Sequence, residues 1–200
     1  MTDGFIAQLR SEWFERLERI IETSQTLPSS DLKCIELCHQ RCCPRPELRL
    51  KTPQEVTSSI VVLLPFEMEY LMEKTGVPKK VFRRWPLALS PDMTIEIGMF
   101  DLGKTCPFLT ENIQCSIYKF YPVDCRTYPL LPFVDYHGKL EWELSSTCPS
   151  AARFNPIVAE AVKHFWEELV PVLPRAWWDL YDFADHWKGW PEPTENLNAP

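Results

Sequence analysis

Eight cysteines fall into two groups along the 200-residue chain: Cys34, Cys38, Cys42 and Cys43, then Cys106, Cys115 and Cys125, with Cys148 following. A cysteine taken alone is a small buried hydrophobe whose position follows the packing pattern. Packing gives no reason to crowd four of them between positions 34 and 43 and to leave 44–105 without any. Thiolate is a soft ligand that suits zinc and iron–sulfur clusters, and four thiolates satisfy either. All eight are therefore candidate metal ligands, in one site or in two.

Disulfides are the competing use of an even cysteine count, and they belong mainly to secreted domains below about 80 residues. The first ten residues, MTDGFIAQLR, show no basic stretch followed by an apolar one, so no secretory leader is read there. Nor does any apolar run approach the ~20 residues of a membrane span. The expectation is a protein of the reducing cytoplasm whose thiols are ligands.

Spacing bears on which metal. Zinc sites usually present paired C-x2-C knuckles, and the chain has none. The long Cys115-x9-Cys125 gap suits a loop wrapped around a larger group. Three cysteines precede proline, at Cys43-Pro44, Cys106-Pro107 and Cys148-Pro149, a dipeptide also found at the end of bacterial ferredoxin runs. These features favour a four-iron four-sulfur (4Fe-4S) cluster over zinc, with zinc as the alternative. Arg126, adjoining Cys125, is placed to donate hydrogen bonds to sulfur or to offset its charge, and such outer partners tune a metal centre. A surface ion pair is the plainer use of that arginine. Cys34-x3-Cys38-x3-Cys42 comes within one residue of the C-x3-C-x2-C pattern of radical S-adenosylmethionine enzymes, but the chain lacks the repeating strand and helix pattern of a (β/α) barrel.

Other catalytic signatures are thin. There is no glycine-rich phosphate loop among six glycines, no G-x-S-x-G and no H-E-x-x-H, and no catalytic residue is singled out. His39 lies inside the first cysteine group and is read as a neighbour rather than a ligand; His137 precedes Gly138 and is read as a turn residue. Glu67 and Glu69 follow Pro65 at a helix start, where the helix dipole favours acids.

The composition is that of a globular chain: 45% hydrophobic, 24% charged and a net charge of −7. A nucleic-acid surface would announce itself as a basic stripe. The one basic cluster, Lys79, Lys80, Arg83 and Arg84 between Pro78 and Pro86, reads as a solvated loop. Neither nucleic acid nor membrane is expected as a partner, and the sequence identifies no protein partner.

The elements that must position the cysteines follow from periodicity. Ile6, Leu9, Trp13, Leu17, Ile20 and Ile21 recur at helical spacing, which predicts a docking helix from Asp3 to about Ser24. A second helix, capped by Ser29, Ser30 or Asp31, would carry Cys34, Cys38 and Cys42 on one face until Pro44 stops it. Ile60–Leu64 reads as a buried strand, Pro65 as the opening of a helix Phe66–Thr75 and Gly76 as its stop. Thr94–Phe100 reads as a strand, 101–132 as irregular, and Val134–Leu144 as a hairpin turning at His137-Gly138. Asn155 caps and Pro156 starts a helix through about Val170, and a final helix carries Trp177, Leu180, Tyr181, Ala184 and Trp187 before Gly189. The fold class expected is α+β: a small compact domain of helices with short antiparallel strands and a long irregular, metal-organised cysteine-rich loop region. It is read as a single domain over 1–190, divided into the docking helix (1–26), the metal-binding core (30–150) and the C-terminal helices (155–190), with a disordered tail at 191–200.

Around the cysteines the chain reads Cys34-x3-Cys38-x3-Cys42-Cys43, Cys106-Pro-Phe-Leu, Cys115-Ser-Ile-Tyr118 and Pro122-x2-Cys125-Arg126-x2-Pro129. In this it resembles the CxxCxxCC family, often called YkgJ-like, of zinc- or iron-chelating proteins. The hallmark of that family is a cysteine cluster followed by C-x-F-L, C-x-I-Y and a Pro-x2-Cys-Arg-x2-Pro element. The resemblance runs from about Cys34 to Pro129 and departs at the first cluster, where x3 replaces x2. It implies a metal centre and little more; a metal-binding module with an electron-transfer, redox or metal-sensing role is the reading preferred for it. Some relatives are described as flagellin lysine N-methylases, which implies as the alternative an iron–sulfur enzyme of lysine N-methyltransferase type.

Overall fold

The computed structural model describes residues 3–26, 60–101, 106–111, 115–135, 137–145, 151 and 154–185. Strand β1 (Ile60–Val62) pairs antiparallel with β3 (Met93–Asp101), and β2 (Arg83–Ser90) pairs antiparallel with the other side of β3, giving the order β1-β3-β2. Successive side chains on a strand face opposite sides, and both sides are used here. Val62, Leu64, Ile95, Ile97 and Met99 enter the larger core, with helices on that face. Val61, Leu63 and Phe100 enter a second core that contains Cys106, Phe108 and Ile117.

The larger core is built from helix α1 (Asp3–Thr26), helix α4 (Pro156–Leu169) and helix α5 (Arg175–Asp185). Trp13, Leu17, Ile20 and Ile21 of α1 are buried, whereas Phe5 and Ile6 are exposed. The docking helix thus seats through its second half. Its seat includes helix α2 (Glu67–Thr75), where Phe14 meets Tyr70 edge to face at 5.4 Å, flanked by the Arg10–Glu73 and Lys74–Glu18 ion pairs. Exposed pairs of this kind are worth about 0–1 kcal/mol, so apolar burial decides the docking. Asn155 accepts from the Ile157 N–H at 2.8 Å and Pro156 opens α4, as its sequence predicts. The aromatic stripe of α5 is core: Trp177 and Tyr181 stack at 5.0 Å, and Trp177 Nε1 donates to the Leu63 carbonyl at 2.9 Å.

The hairpin forms as expected, from β4 (Leu130–Val134) and β5 (Leu140–Leu144). Asp135 Oδ1 accepts from the His137 and Lys139 N–H groups, and Gly138 takes φ 82°, so His137 is a turn residue.

Three expectations are corrected. The basic, proline-bounded stretch is not a solvated loop: Lys79–Val81 is a 3-10 turn and Arg83–Ser90 is a strand. As an edge strand β2 tolerates Pro86, which needs no ladder donor on its outer side. Pro65 does not open α2, because Phe66 follows in a left-handed conformation (φ 61°) and the helix begins at Glu67; such a conformation costs a non-glycine residue about 1–2 kcal/mol. The 101–132 stretch contains a 3-10 turn (Tyr118–Phe120), helix α3 (Val123–Thr127) and the start of β4. The helix proposed for Cys34–Cys42, Trp187, Gly189 and the 191–200 tail lie outside the described residues.

Glu67, 2% exposed, ties these parts together. One carboxylate oxygen accepts from the Leu64 N–H at 2.7 Å and the other from the Val123 N–H, the first residue of α3, at 2.9 Å. Burial raises its pKa to about 7 against the hydrogen bonds of Leu64 and Val123 and the charge of Arg126, with Asp124 adding to the rise.

Two tests follow from this packing. A Cβ on Gly98 would lie 2.8 Å from Met68 Cβ and 2.9 Å from a Leu63 methyl, so Gly98→Ala should cost about 1–3 kcal/mol, read as a lower denaturant midpoint; an unchanged midpoint would contradict the packing of α2 on β3. Between pH 4.5 and about 7 folded Glu67 holds a proton that the unfolded chain has lost, so its contribution is largest below this window and falls as pH rises through it. The stability difference between wild type and Glu67→Gln should therefore change across that window by on the order of 3 kcal/mol, a comparison in which other groups cancel. A pH-independent difference would contradict the burial.

Candidate metal centre

Two cysteines open turns of one shape. The Leu109 N–H donates to the Cys106 carbonyl at 3.1 Å, and the Tyr118 N–H donates to the Cys115 carbonyl at 3.2 Å. Each four-residue motif thereby closes on its own first residue, and Pro107 fits the second position of such a turn. The third residues, Phe108 and Ile117, are buried and anchor the turns in the second core. The turns are also fastened to each other: Leu109 and Cys115 form an antiparallel bridge, and the Ser116 N–H donates to the Phe108 carbonyl at 2.8 Å. The spacing C-x-F-L and C-x-I-Y is thus a recipe for two joined turns that each present a sulfur at the start.

The third cysteine sits in the single short helix α3, held from three sides. Glu67 accepts from its first N–H, Tyr181 Oη donates to Asp124 at 2.8 Å, and Arg126 reaches back to the preceding 3-10 turn. Arg126 Nε donates to the Tyr121 carbonyl at 2.8 Å, Nη2 to the Lys119 carbonyl at 2.9 Å, and the guanidinium lies 4.0 Å from the Tyr121 ring centre. The arginine therefore clamps the backbone between Cys115 and Cys125.

Cys106, Cys115 and Cys125 are thiols, the first buried and the other two half-buried, and all three pack into the second core. Burial pushes the Cys115 thiol pKa up; the Ile117 N–H pointing at its sulfur opposes this, the neighbouring Cys106 adds to the rise, and Arg126 opposes it. The N–H and the guanidinium are the features that would stabilise a thiolate once a cation offsets burial. The Tyr121 hydroxyl pKa is raised, first by burial, with Cys125 and Cys115 among the contributors, which places this ring within the field of both thiols. Tyr118 stacks on Tyr121 at 5.4 Å and is 72% exposed.

The structure thus brings three predicted ligands, with Arg126, to one side of the sheet. Cys34, Cys38, Cys42, Cys43, Cys148 and His39 lie outside the described residues. Among the described residues no group of three or more His, Cys, Asp and Glu side chains is close enough to hold a metal ion. The donor chemistry of the three thiols fits zinc or iron. Glu67 is what sequence reasoning missed, since an acid at a helix start has a ready explanation in the dipole. Its signal was its setting, a lone acid inside the apolar run from Ile60 to Met68. No described helix is long and apolar enough to cross a membrane.

No curated protein and no solved structure matches the chain. The profile of the CxxCxxCC family, described as a "putative zinc- or iron-chelating domain", matches residues 33–149, which leaves α1, α4 and α5 outside and takes in every cysteine. With more than half its length so matched, the chain belongs to the CxxCxxCC family of zinc- or iron-chelating domains.

Proposed function

We propose that the protein is a metal-binding module whose two cysteine groups share one centre, a 4Fe-4S cluster in preference to zinc, serving electron transfer or the sensing of redox state or metal in the cytoplasm. The observation that carries this reading is the convergence of Cys106, Cys115 and Cys125 on one core through joined turns and a clamped helix. The remaining ligand comes from among Cys34, Cys38, Cys42, Cys43 and Cys148, since four thiolates complete such a centre, and Arg126 offsets the charge. When bound, an iron–sulfur cluster supplies one-electron chemistry, with a potential set by hydrogen bonds to sulfur, charge and exposure. The chain's own part is to aim the thiols, to give the Cys115 sulfur an N–H donor, and to surround the centre with Phe108, Ile117 and Phe82.

An enzyme of lysine N-methyltransferase type would call for an open iron or an adjacent cleft lined by Tyr118, Tyr121, Tyr128 or tryptophan residues. Of two grooves, one of about 310 Å³ between α1 and the β2–β3 turn has Trp13 in its lining, and one of about 270 Å³ lies between α1 and α4. Neither is lined by a cysteine, and the module reading is preferred.

Cys115→Ser and Cys125→Ser should each weaken metal retention by more than the 10–100-fold, about, that loss of an outer partner costs, and should lower the stability of the middle of the chain. Metal per chain after dialysis against a chelator, with thermal unfolding, checks both. A variant that keeps its full metal content would contradict that cysteine's assignment.

A further inference from the structure

We infer that Glu67 is a positioning residue for the metal centre, fixing the helix that carries Cys125 against the turns that carry Cys106 and Cys115. The inference rests on the metal-binding reading and deepens it. Glu67 reaches across 56 positions of sequence to accept the Val123 N–H, two residues before Cys125, while its second oxygen accepts the Leu64 N–H of its own turn. That turn is set by Phe66, a buried phenylalanine in the left-handed region. Strained backbone persists where its surroundings over-determine it, and here the strain aims one carboxylate at one distant N–H.

The linkage is rigid at both ends. On one side the N–H of Leu63, the neighbour of Leu64, donates the sheet's next hydrogen bond to the Gly98 carbonyl, and the Leu63 carbonyl accepts from Trp177 Nε1. On the other, Asp124 is held by Tyr181 and Arg126 by the carbonyls of Lys119 and Tyr121. Glu67 is a direct hydrogen-bonded tie between the end of the strand that roofs the Cys106 and Cys115 turns and the helix of Cys125. It touches no thiol in these bonds, so its action passes through the backbone.

The test is competition for Zn(II) between a chromophoric chelator and the full-length protein, reduced and handled without oxygen. Wild type, Glu67→Ala, Glu67→Gln and Val162→Ala are compared, the last a buried position of α4 in the larger core. Thermal unfolding of each is recorded alongside. Glu67→Ala should bind zinc about 10–100-fold more weakly, Glu67→Gln, with one acceptor oxygen, should lose less, and Val162→Ala should bind as wild type despite its lower stability. Equal zinc affinity in Glu67→Ala and Val162→Ala, or in Glu67→Gln and Glu67→Ala if both match wild type, would reduce Glu67 to a core residue and overturn the inference. Wild type that takes up neither Zn(II) nor iron with sulfide would overturn the metal-binding reading itself, and this inference with it.

Discussion

The two-residue alternation of strand side chains governs everything else in this protein. Because β1 and the Gly98–Phe100 part of β3 bury both of their faces, they must be covered twice. One cover is the assembly of α1, α4 and α5, with Trp166, Trp177, Trp178 and Tyr181 in mutual contact. The other is made from α2, through Met68 and Leu71, and from turns, Phe82, Phe108, Ile117 and the cysteines. The thiols therefore sit where a conventional core would end, apolar on the sheet side and half-exposed on the other. A soft metal suits such a place, since it cross-links short irregular segments that bury little area of their own.

Electrostatics point the same way. A chain of net charge −7 gains further negative charge for every thiol that ionises, and burial pushes the Cys115 thiol pKa up. A bound cation would reverse both effects. Arg126 and the Ile117 N–H are in place to assist, and Glu67 is bonded to the backbone of Val123, two residues before Cys125, rather than competing as a hard oxygen ligand. Softness favours thiolate over carboxylate for zinc and iron clusters, which accords with a buried acid that serves as a fastener.

Much of this was legible in the sequence. The helical spacing of α1, the Asn155-Pro156 start of α4, the Gly76 stop and the His137-Gly138 turn each rest on a local cause, and each is found. The motifs C-x-F-L, C-x-I-Y and Pro-x2-Cys-Arg-x2-Pro act locally, through apolar third residues that anchor two turns and an arginine that clamps the chain before Cys125. β2 was not legible: Lys79, Lys80, Arg83 and Arg84 between prolines look solvated, and only pairing with β3, with Glu96 between Lys79 and Arg84, makes a strand of them. Glu67 was hidden for the same reason, since its partner Val123 lies 56 residues on. Long-range hydrogen bonds leave no periodicity to read.

The central claim is that the cysteines hold a metal centre, and the most direct measurement is metal and acid-labile sulfide per chain, with a visible absorption spectrum, on protein purified without oxygen. The account predicts iron and sulfide in near-equal amounts, close to four of each per cluster for the 4Fe-4S centre, and a broad visible band. Colourless protein with one zinc per chain would keep the family's chelating role and remove the cluster. Protein with neither metal and with its thiols paired as disulfides would contradict the account.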